Sequence, residues 1–246
     1  MLPSYLLPKL TNSWFSRPWS LRFRVVLVGS VLIIAGTVRV GKAGQTCCGT
    51  PTIVGTFGND VLRGTGRIDV IAGQGGNDVI KGGDSGDCIT AGTGDDTIRG
   101  GLGKDTICDQ GGHNVIKGDE GNDYIDSNGE DDTIKGGPGD DIIIERGDGN
   151  VLSGGGSNDI IISGPEDDYL ISGGEGNDTI IDQGGYNVIK GGSGDDCIAV
   201  YNDTTSVIAG GLGNDYCCGG GIHRNCETSL STCPPLSSLP STCHLP

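Results

Sequence analysis

A nine-residue unit recurs from Gly55 to Cys218, and it constrains the fold more than any other feature of the chain. Its pattern is G-G-x-G-x-D-x-U-x, where U is aliphatic, and clear copies are GQGGNDVIK at 73–81, GGLGKDTIC at 100–108 and GGPGDDIII at 136–144. A unit this short cannot bury a core alone, so successive units must stack on one another. The repeat therefore predicts a solenoid.

The composition excludes a conventional globular core. Glycine accounts for 48 of the 246 residues and aromatic residues for only 4%. Such a chain loses much backbone entropy on folding and has little apolar area to offset that loss. Its formal net charge of −16 also means that stacked carboxylates repel one another unless cations neutralise them. We therefore expect a bound cation, and we expect no nucleic acid as a partner because no basic tract reverses this charge.

The eighth position of the units predicts the core. Each unit reads as a three-residue strand with one inward side chain, preceded by a six-residue turn. Two units per coil give an all-β, flattened, right-handed parallel β-roll of about nine coils, with disulfide-rich caps. One extra residue is expected near Ser172 and another between Val200 and Ser206. The predicted inward column is Leu62, Ile71, Ile80, Ile89, Ile98, Ile107, Ile116, Ile125, Ile134, Ile143, Leu152, Ile161, Leu170, Ile180, Ile189, Ile198, Ile208 and Cys217.

The chain divides into four predicted segments: a leader at 1–43, an N-terminal cap at 44–54, the roll at 55–218, and a Cys/Pro/Ser-rich C-terminal cap and tail at 219–246. The leader has arginines before an uncharged apolar run at 25–38 and small residues at 41–43, which is the order of a secretory signal. A membrane anchor is the alternative, although the run is shorter than the roughly 20 residues that a spanning helix needs. We therefore expect a secreted, extracellular protein.

Ten cysteines fit an oxidising destination. They concentrate at the two ends of the repeats, which favours disulfide clamps over zinc, because His113, His223 and His244 show no ligand spacing. A Cys88–Cys108 bond stays open, since diagonal neighbours on a sheet lie at the limit of disulfide reach. At the C-terminal end we expect Cys218 or Cys217 to pair with Cys226.

These units resemble the haemolysin-type, or RTX, calcium-binding repeats, and the resemblance covers 55–218. It implies a β-roll in which Ca²⁺ lies between the turns of successive coils. It also implies that the sixth-position Asp and backbone carbonyl groups of the first four turn residues are the ligands. The first-position glycines of the turns concerned are Gly82, Gly100, Gly118, Gly136, Gly154, Gly173, Gly191 and Gly210.

Successive turns alternate between two edges of a flattened roll, so the sixth positions form two columns. We number the turns from Gly55 and name the columns the odd edge and the even edge. The even edge reads Asp69, Asp87, Asp105, Asp123, Asp141, Asp159, Asp178, Asp196 and Asp215. The odd edge reads Asp60, Asp78, Asp96, Asn114, Asp132, Asn150, Asp168, Asn187 and Ser206.

The two edges are therefore predicted to differ in calcium binding. Because Ca²⁺ prefers several oxygen ligands with sufficient negative charge, an Asn at alternate turns weakens the sites that it borders. We expect up to about eight ions along the even edge and about two on the odd edge, at Asp60/Asp78 and Asp78/Asp96. Arg67 replaces a glycine in the first even turn, which makes the Asp69/Asp87 site the weakest even-edge prediction.

The two outward faces also differ. One face carries a basic row formed by Arg63, Lys81, Arg99, Lys117 and Lys135. The simpler interpretation is that this row keeps the protein soluble, and the more specific one is that it binds an acidic glycan. The other carries a predicted exposed apolar patch for a second copy or another surface partner, formed by Tyr124, Ile142, Ile144, Ile160, Ile162 and Ile181.

The sequence predicts a secreted calcium-binding protein with an extracellular structural or adhesive role, in which Ca²⁺ binding drives folding. No catalytic set is recognisable, and the segment left after leader and repeats is too short for a catalytic domain, so we expect no enzyme. The alternatives are a calcium-dependent glycan- or surface-binding module detached from an enzyme or toxin, and an ice-binding roll. The latter would favour regular Thr columns, whereas Thr is scattered here.

Overall fold

The computed structural model describes residues 25–28, 31–34, 48–235, 238–240 and 243. The chain divides into two units, Met1–Arg39 and Val40–Pro246. In the first, β1 (Val25–Val28) and β2 (Val31–Ile34) pair as an antiparallel hairpin. Most of the predicted leader and part of both predicted caps lie outside the described residues. Within the described part of the chain, no helix has the length and apolarity needed to cross a membrane.

The second unit is a parallel β-solenoid built from two facing sheets. Sheet I has ten strands: β4 (Val61–Arg63), β6 (Val79–Gly83), β8 (Thr97–Leu102), β10 (Val115–Glu120), β12 (Thr133–Pro138), β14 (Val151–Gly156), β16 (Leu170–Glu175), β18 (Val188–Ser193), β20 (Val207–Leu212) and β22 (Ile222–Arg224). Sheet II has eleven: β3 (Ile53–Val54), β5 (Val70–Gly75), β7 (Cys88–Thr93), β9 (Thr106–Cys108), β11 (Tyr124–Ser127), β13 (Ile142–Glu145), β15 (Ile160–Ser163), β17 (Thr179–Asp182), β19 (Cys197–Val200), β21 (Tyr216–Cys218) and β23 (Thr228–Leu230).

The two sheets arise directly from the nine-residue period. Each strand pairs in parallel with the strand two positions further along the chain, so that Ile98 lies opposite Ile80 and Ile116. Consecutive strands therefore belong to opposite sheets, and each pair of strands with its two turns completes one coil. This confirms the predicted roll. The strands β3, β22 and β23 extend the two sheets beyond the predicted limits of the repeats.

The core is a single ladder of aliphatic side chains between the sheets. Isoleucines from Ile71 to Ile208 in the inward column are almost completely buried, and Cys217 closes the column. Outward neighbours on sheet I remain partly exposed, as Val79 and Val115 show with 37% and 41% of their surface accessible. This alternation follows from the period of two along a strand.

One predicted member of the ladder is wrong. Leu170 was expected to point inward, but Ile171 is fully buried and pairs with Ile189, while Leu170 pairs with outward Val151. The cause is an extra residue earlier than expected: the amides of both Tyr169 and Leu170 bond to the carbonyl of Asn150. This is a bulge in which two residues oppose one.

Disulfides fasten both ends of the roll to sheet II. The bonds are Cys48–Cys88, Cys197–Cys243, Cys217–Cys226 and Cys218–Cys233. Cys217–Cys226 confirms one of the two predicted C-terminal pairings. A Cys88–Cys108 bond is wrong, because Cys88 pairs with Cys48, and Cys108 is disulfide-bonded elsewhere. The spacing of the repeats could not reveal this partner, because Cys48 lies outside the repeating units.

The predicted exposed apolar patch is also wrong for most of its members. Ile144, Ile160, Ile162 and Ile181 expose 7% or less of their surface, while Ile142 and Tyr124 are half-buried. The outward residues Val79 and Val115 of sheet I, in contrast, are 37% and 41% exposed. Towards the C-terminal end of sheet II, Cys233, Leu239 and Cys243 pack in one cluster with Ala199 and Tyr216.

Replacement of Ile116 by Ala should lower the free energy of unfolding by about 2–5 kcal/mol, because it leaves a cavity in a ladder that has no second layer. The neighbouring Val115→Ala is the matched control. Val115 points outward and is 41% exposed, so the loss there should stay below about 1 kcal/mol. Urea unfolding at saturating calcium measures both, and equal losses would contradict the inward and outward assignment.

Candidate functional site

The sixth-position aspartates hold successive coils together through one of their two carboxylate oxygens. The backbone N–H of Asp87 donates to Oδ1 of Asp105 at 2.6 Å, and that of Asp105 donates to Oδ1 of Asp123 at 2.8 Å. The same bond recurs along both edges, from Asp60–Asp78 to Asp196–Asp215. Since each bond joins equivalent positions one coil apart, it fixes the register of the turns.

The second oxygen of most of these carboxylates is buried and lacks a hydrogen-bond partner. A buried charged oxygen without a partner is costly, so a positive ligand or a proton must compensate. The set comprises eight even-edge and three odd-edge residues: Asp87, Asp105, Asp123, Asp141, Asp159, Asp178, Asp196 and Asp215, and Asp78, Asp96 and Asp168.

Backbone oxygens converge on the same places. A Cβ placed on Gly100 would lie 2.2 Å from Oδ2 of Asp105 and 2.6 Å from the carbonyl oxygen of Gly118. For Gly136 the same distances are 2.2 Å to Asp141 Oδ2 and 2.7 Å to the Gly154 carbonyl oxygen. The first-position glycines therefore leave room for a carboxylate oxygen beside a carbonyl oxygen of the next coil. Oxygen atoms of these two kinds are the ligands that Ca²⁺ prefers.

The same candidate site recurs at successive turns, and none of its copies is a cluster of several acidic side chains. Among the described residues, no group of three or more His, Cys, Asp or Glu side chains is placed to hold a metal ion. Each turn instead contributes one carboxylate, so an ion would need backbone carbonyl groups for most of its shell. The residues present fit calcium on this chemistry, and the first turn on each edge fits it less well.

The first turn on each edge differs from the others. Oδ2 of Asp69 accepts hydrogen bonds from the amide and hydroxyl of Thr65, at 2.6 and 2.8 Å. Thr56 serves Asp60 in the same way, at 2.6 and 2.9 Å. These two predicted ligands therefore already have partners within their own turns, unlike the remaining ten predicted aspartates. The threonine at the second position of these two turns, Thr56 and Thr65, was the sequence feature that could have revealed this difference.

Burial gives the orphaned carboxyl groups abnormal proton affinity. It raises the pKa of Asp105, Asp141 and Asp196 to about 7 and that of Asp159 to about 8, and the charges of neighbouring aspartates raise these pKa values further. Hydrogen bonds from the backbone of the preceding coil act in the opposite direction. A cation between the turns would reverse this balance by favouring the ionised form.

Sequence reasoning missed two other columns in the turns. Fifth-position Asn and Asp side chains accept the fifth-position amide of the next coil, as Asn77 does for Asp95 at 3.0 Å and Asp140 for Asn158 at 3.0 Å. First-position side chains of the odd edge, including Asp109, Glu145 and Asp182, are buried. Both columns could have been found by comparing the same turn position in successive repeats. Asn and Asp recur at the fifth position, and acidic residues recur at the first position of the odd edge.

The basic row predicted on sheet I is present and in register. Arg63 pairs with Lys81, Lys81 with Arg99, Arg99 with Lys117 and Lys117 with Lys135. Four of these side chains belong to exposed residues and Lys117 is half-buried. The register also places Ser153 and Ser172 in this row.

Comparison with protein families identifies the repeats. The RTX calcium-binding nonapeptide repeat matches the chain at residues 54–87, 82–108, 110–143, 147–173, 172–200 and 206–221. The chain belongs to the RTX calcium-binding repeat family. A search of curated proteins finds no match to the chain. RTX repeats bind Ca²⁺, and the paired carboxylate and carbonyl oxygens of these turns supply suitable ligands.

In the absence of calcium, the RTX roll should lose stability as the pH rises. The unfolded aspartates have a pKa of about 3.9, whereas burial raises the folded pKa of Asp105 to about 7 and that of Asp159 to about 8. The folded state therefore holds more protons between these values, so its stabilisation is complete below about pH 4 and is lost as the pH rises through about 8.

Urea midpoints followed by circular dichroism in excess chelator, from pH 4 to pH 8, measure this effect. The midpoint should fall with increasing pH. At saturating calcium the fall should disappear or reverse, because the ion binds the ionised carboxylates. A midpoint in chelator that rises over the same range would contradict the raised pKa values.

Proposed function

We propose that this protein is exported and that its RTX roll folds outside the cell when Ca²⁺ binds between successive turns. The observation that carries the proposal is the column of buried, unpartnered Oδ2 atoms, eight of them consecutive on the even edge from Asp87 to Asp215. Ligands of this kind remain charged only when a cation is present. Bound calcium would supply positive charge shared between two coils.

The chain's own residues prepare each site. Oδ1 of each aspartate is occupied by the amide one coil away, which aims Oδ2 into the turn. The first-position glycine leaves the space for that oxygen, as the 2.2 Å approach at Gly100 indicates. Neither arrangement exists in an unfolded chain, because both depend on residues in adjacent coils. The free energy of calcium binding would therefore contribute directly to folding.

Export is supported by the cysteines and the leader. None of the cysteines in the described part of the chain is free, and disulfides persist in oxidising compartments. The basic and apolar order of 1–43 has the features of a secretory signal. Outside the cell calcium is abundant, which matches sites built largely from carbonyl groups with one carboxylate per turn.

Calcium titration of the purified chain tests this function. The far-ultraviolet circular dichroism spectrum should change from that of an expanded chain to that of a β-structure as calcium is added. Asp141→Asn should raise the calcium midpoint roughly tenfold, because it removes a charged ligand at the centre of the even edge. Glu130→Gln, an exposed carboxylate in an odd turn, removes the same charge and should leave the midpoint unchanged. A spectrum that does not respond to calcium would overturn the proposal.

We further propose an adhesive role in which the basic row binds an acidic polysaccharide. Seven of the ten Lys and Arg residues between positions 48 and 235 lie in one outward column of sheet I. These cations repeat along the strand spacing of about 4.8 Å, which suits a linear polyanion. Among the described residues, only Arg99 of the first five has a carboxylate partner, Asp119 at 3.6 Å. Charge complementarity on a chain of net charge −16 favours this face.

Binding of a sulfated polysaccharide such as heparin tests the adhesive role. Removal of two cations by Lys81→Ser and Lys135→Ser should weaken binding by about 30-fold, at about 1 kcal/mol for each cation near an anionic surface. Serine already occupies this column at Ser153 and Ser172, so folding should persist. The control, Arg67→Ser with Lys104→Ser, removes the same charge from turns and should have a much smaller effect. Equal losses would show a non-specific charge effect and overturn this role.

A further inference from the structure

The first turn position distinguishes the two edges more sharply than the sixth. On the even edge it is glycine in every turn from Gly64 to Gly210. On the odd edge it is glycine only in the first two turns, after which larger residues take its place: Ala91, Asp109, Ser127, Glu145, Ser163, Asp182 and Val200. All seven are buried.

Side chains at the first position compete for the space that the free carboxylate oxygen uses. On the even edge, a Cβ at Gly118 would lie 2.1 Å from Oδ2 of Asp123 within the same turn, and one at Gly136 would lie 2.2 Å from Oδ2 of Asp141. These approaches are shorter than van der Waals contact, so a residue larger than glycine requires a rearranged turn. The odd edge shows what that rearrangement is.

In the fourth odd turn, an amide replaces the free carboxylate oxygen. Oδ1 of Asn114 still accepts the backbone amide of Asp96 at 2.8 Å, so the coil-to-coil bond is kept. Nδ2 of Asn114 donates at 2.8 Å to Oδ2 of Asp109, the first residue of the same turn. The atom that would face an ion is therefore a hydrogen-bond donor, and the carboxylate has moved from the sixth position to the first. Oδ1 of Asp109 remains buried without a hydrogen-bond partner, so this turn is only partly paired.

Two further odd turns contain a pair of the same kind. Nδ2 of Asn187 donates to Oδ2 of Asp182 at 2.9 Å. In the fifth odd turn the roles of the two positions are exchanged. There Ser127, at the first position, donates its hydroxyl to Oδ2 of Asp132, at the sixth, at 2.6 Å. Each of these turns retains one carboxylate, and in each a donor on the other side chain satisfies an oxygen that stays unpartnered on the even edge.

We propose that the fifth and eighth odd turns close by direct side-chain pairing and hold no calcium ion, so that one edge of the roll depends on calcium while part of the other does not. The inference rests on the proposed function, because it takes unpartnered carboxylate oxygens as calcium ligands. The pairs are Ser127–Asp132 and Asp182–Asn187, in which both oxygens of the carboxylate accept hydrogen bonds. The sixth and seventh odd turns pair differently, since Nδ2 of Asn150 donates to Asp168 in the next coil at 3.1 Å.

The consequence is a roll with two kinds of seam. Along the even edge, successive turns repel one another until a cation is bound. Along the paired part of the odd edge, the turns carry their own donors, and their closure requires no ion. Calcium withdrawal should therefore act first on the even edge, while the odd edge retains part of its order.

Anomalous X-ray diffraction from crystals of the intact, calcium-loaded protein tests the inference without any substitution. Calcium peaks should follow the even edge and be absent beside the two fully paired odd turns. Peaks of similar height beside Asp132 or Asn187 would overturn the inference while leaving the proposed function intact. Peaks at neither edge would overturn both.

A reciprocal exchange between the edges tests the same inference in solution. Asp182→Gly with Asn187→Asp gives an odd turn the even-edge pair, and it should add about one bound calcium ion per molecule, counted by native mass spectrometry. The matched change Gly118→Asp with Asp123→Asn gives an even turn the odd-edge pair and should remove about one ion while circular dichroism still shows a folded roll. A folded first variant that gains no ion would contradict the proposal.

Discussion

The hydrogen bond from the amide of one turn to Oδ1 of the aspartate one coil later is the interaction on which the rest of the structure depends. It recurs at 2.6–2.9 Å along the even edge from Asp69 to Asp215. It fixes the register of the turns, which places the inward isoleucines directly above one another. It also buries a carboxylate in every coil, and this creates the need for a compensating charge. The bond that aligns the coils is thus the reason that they require a cation.

The hydrophobic ladder alone is a weak source of stability for such a chain. Each coil contributes only two inward side chains, as Ile107 and Ile116 illustrate, whereas some 18 backbone residues must be ordered. The remaining stabilisation has to come from the sheets, from the disulfides at the ends and from the turns. The structure meets the requirement at the turns in two ways. Unpaired carboxylates such as Asp141 require a cation, while the Asp182–Asn187 pair is complete without one.

The faces of the roll are specialised as strongly as its edges. Sheet II receives the cap through Cys48–Cys88 and the tail through Cys197–Cys243, and its isoleucines are covered. Sheet I stays open and carries the basic row from Arg63 to Lys135. Seven of the ten Lys and Arg residues between positions 48 and 235 lie in this outward column, which supports the proposed contact with a polyanion.

The sequence by itself determined the period, the parallel stacking, the inward column and the alternation of the two edges. It could do so because every nine-residue unit carries the same spacing of glycine, acidic and aliphatic residues. It also showed the Asn substitutions at 114, 150 and 187, but it did not show that Asn114 pairs with Asp109. Only the tertiary structure decided which carboxylate oxygen is free, since Asp105 Oδ1 and Oδ2 differ only in what the neighbouring coils present to them. It likewise decided the bulge that turns Ile171 inward and the partner of Cys88, because both depend on residues outside the repeating unit.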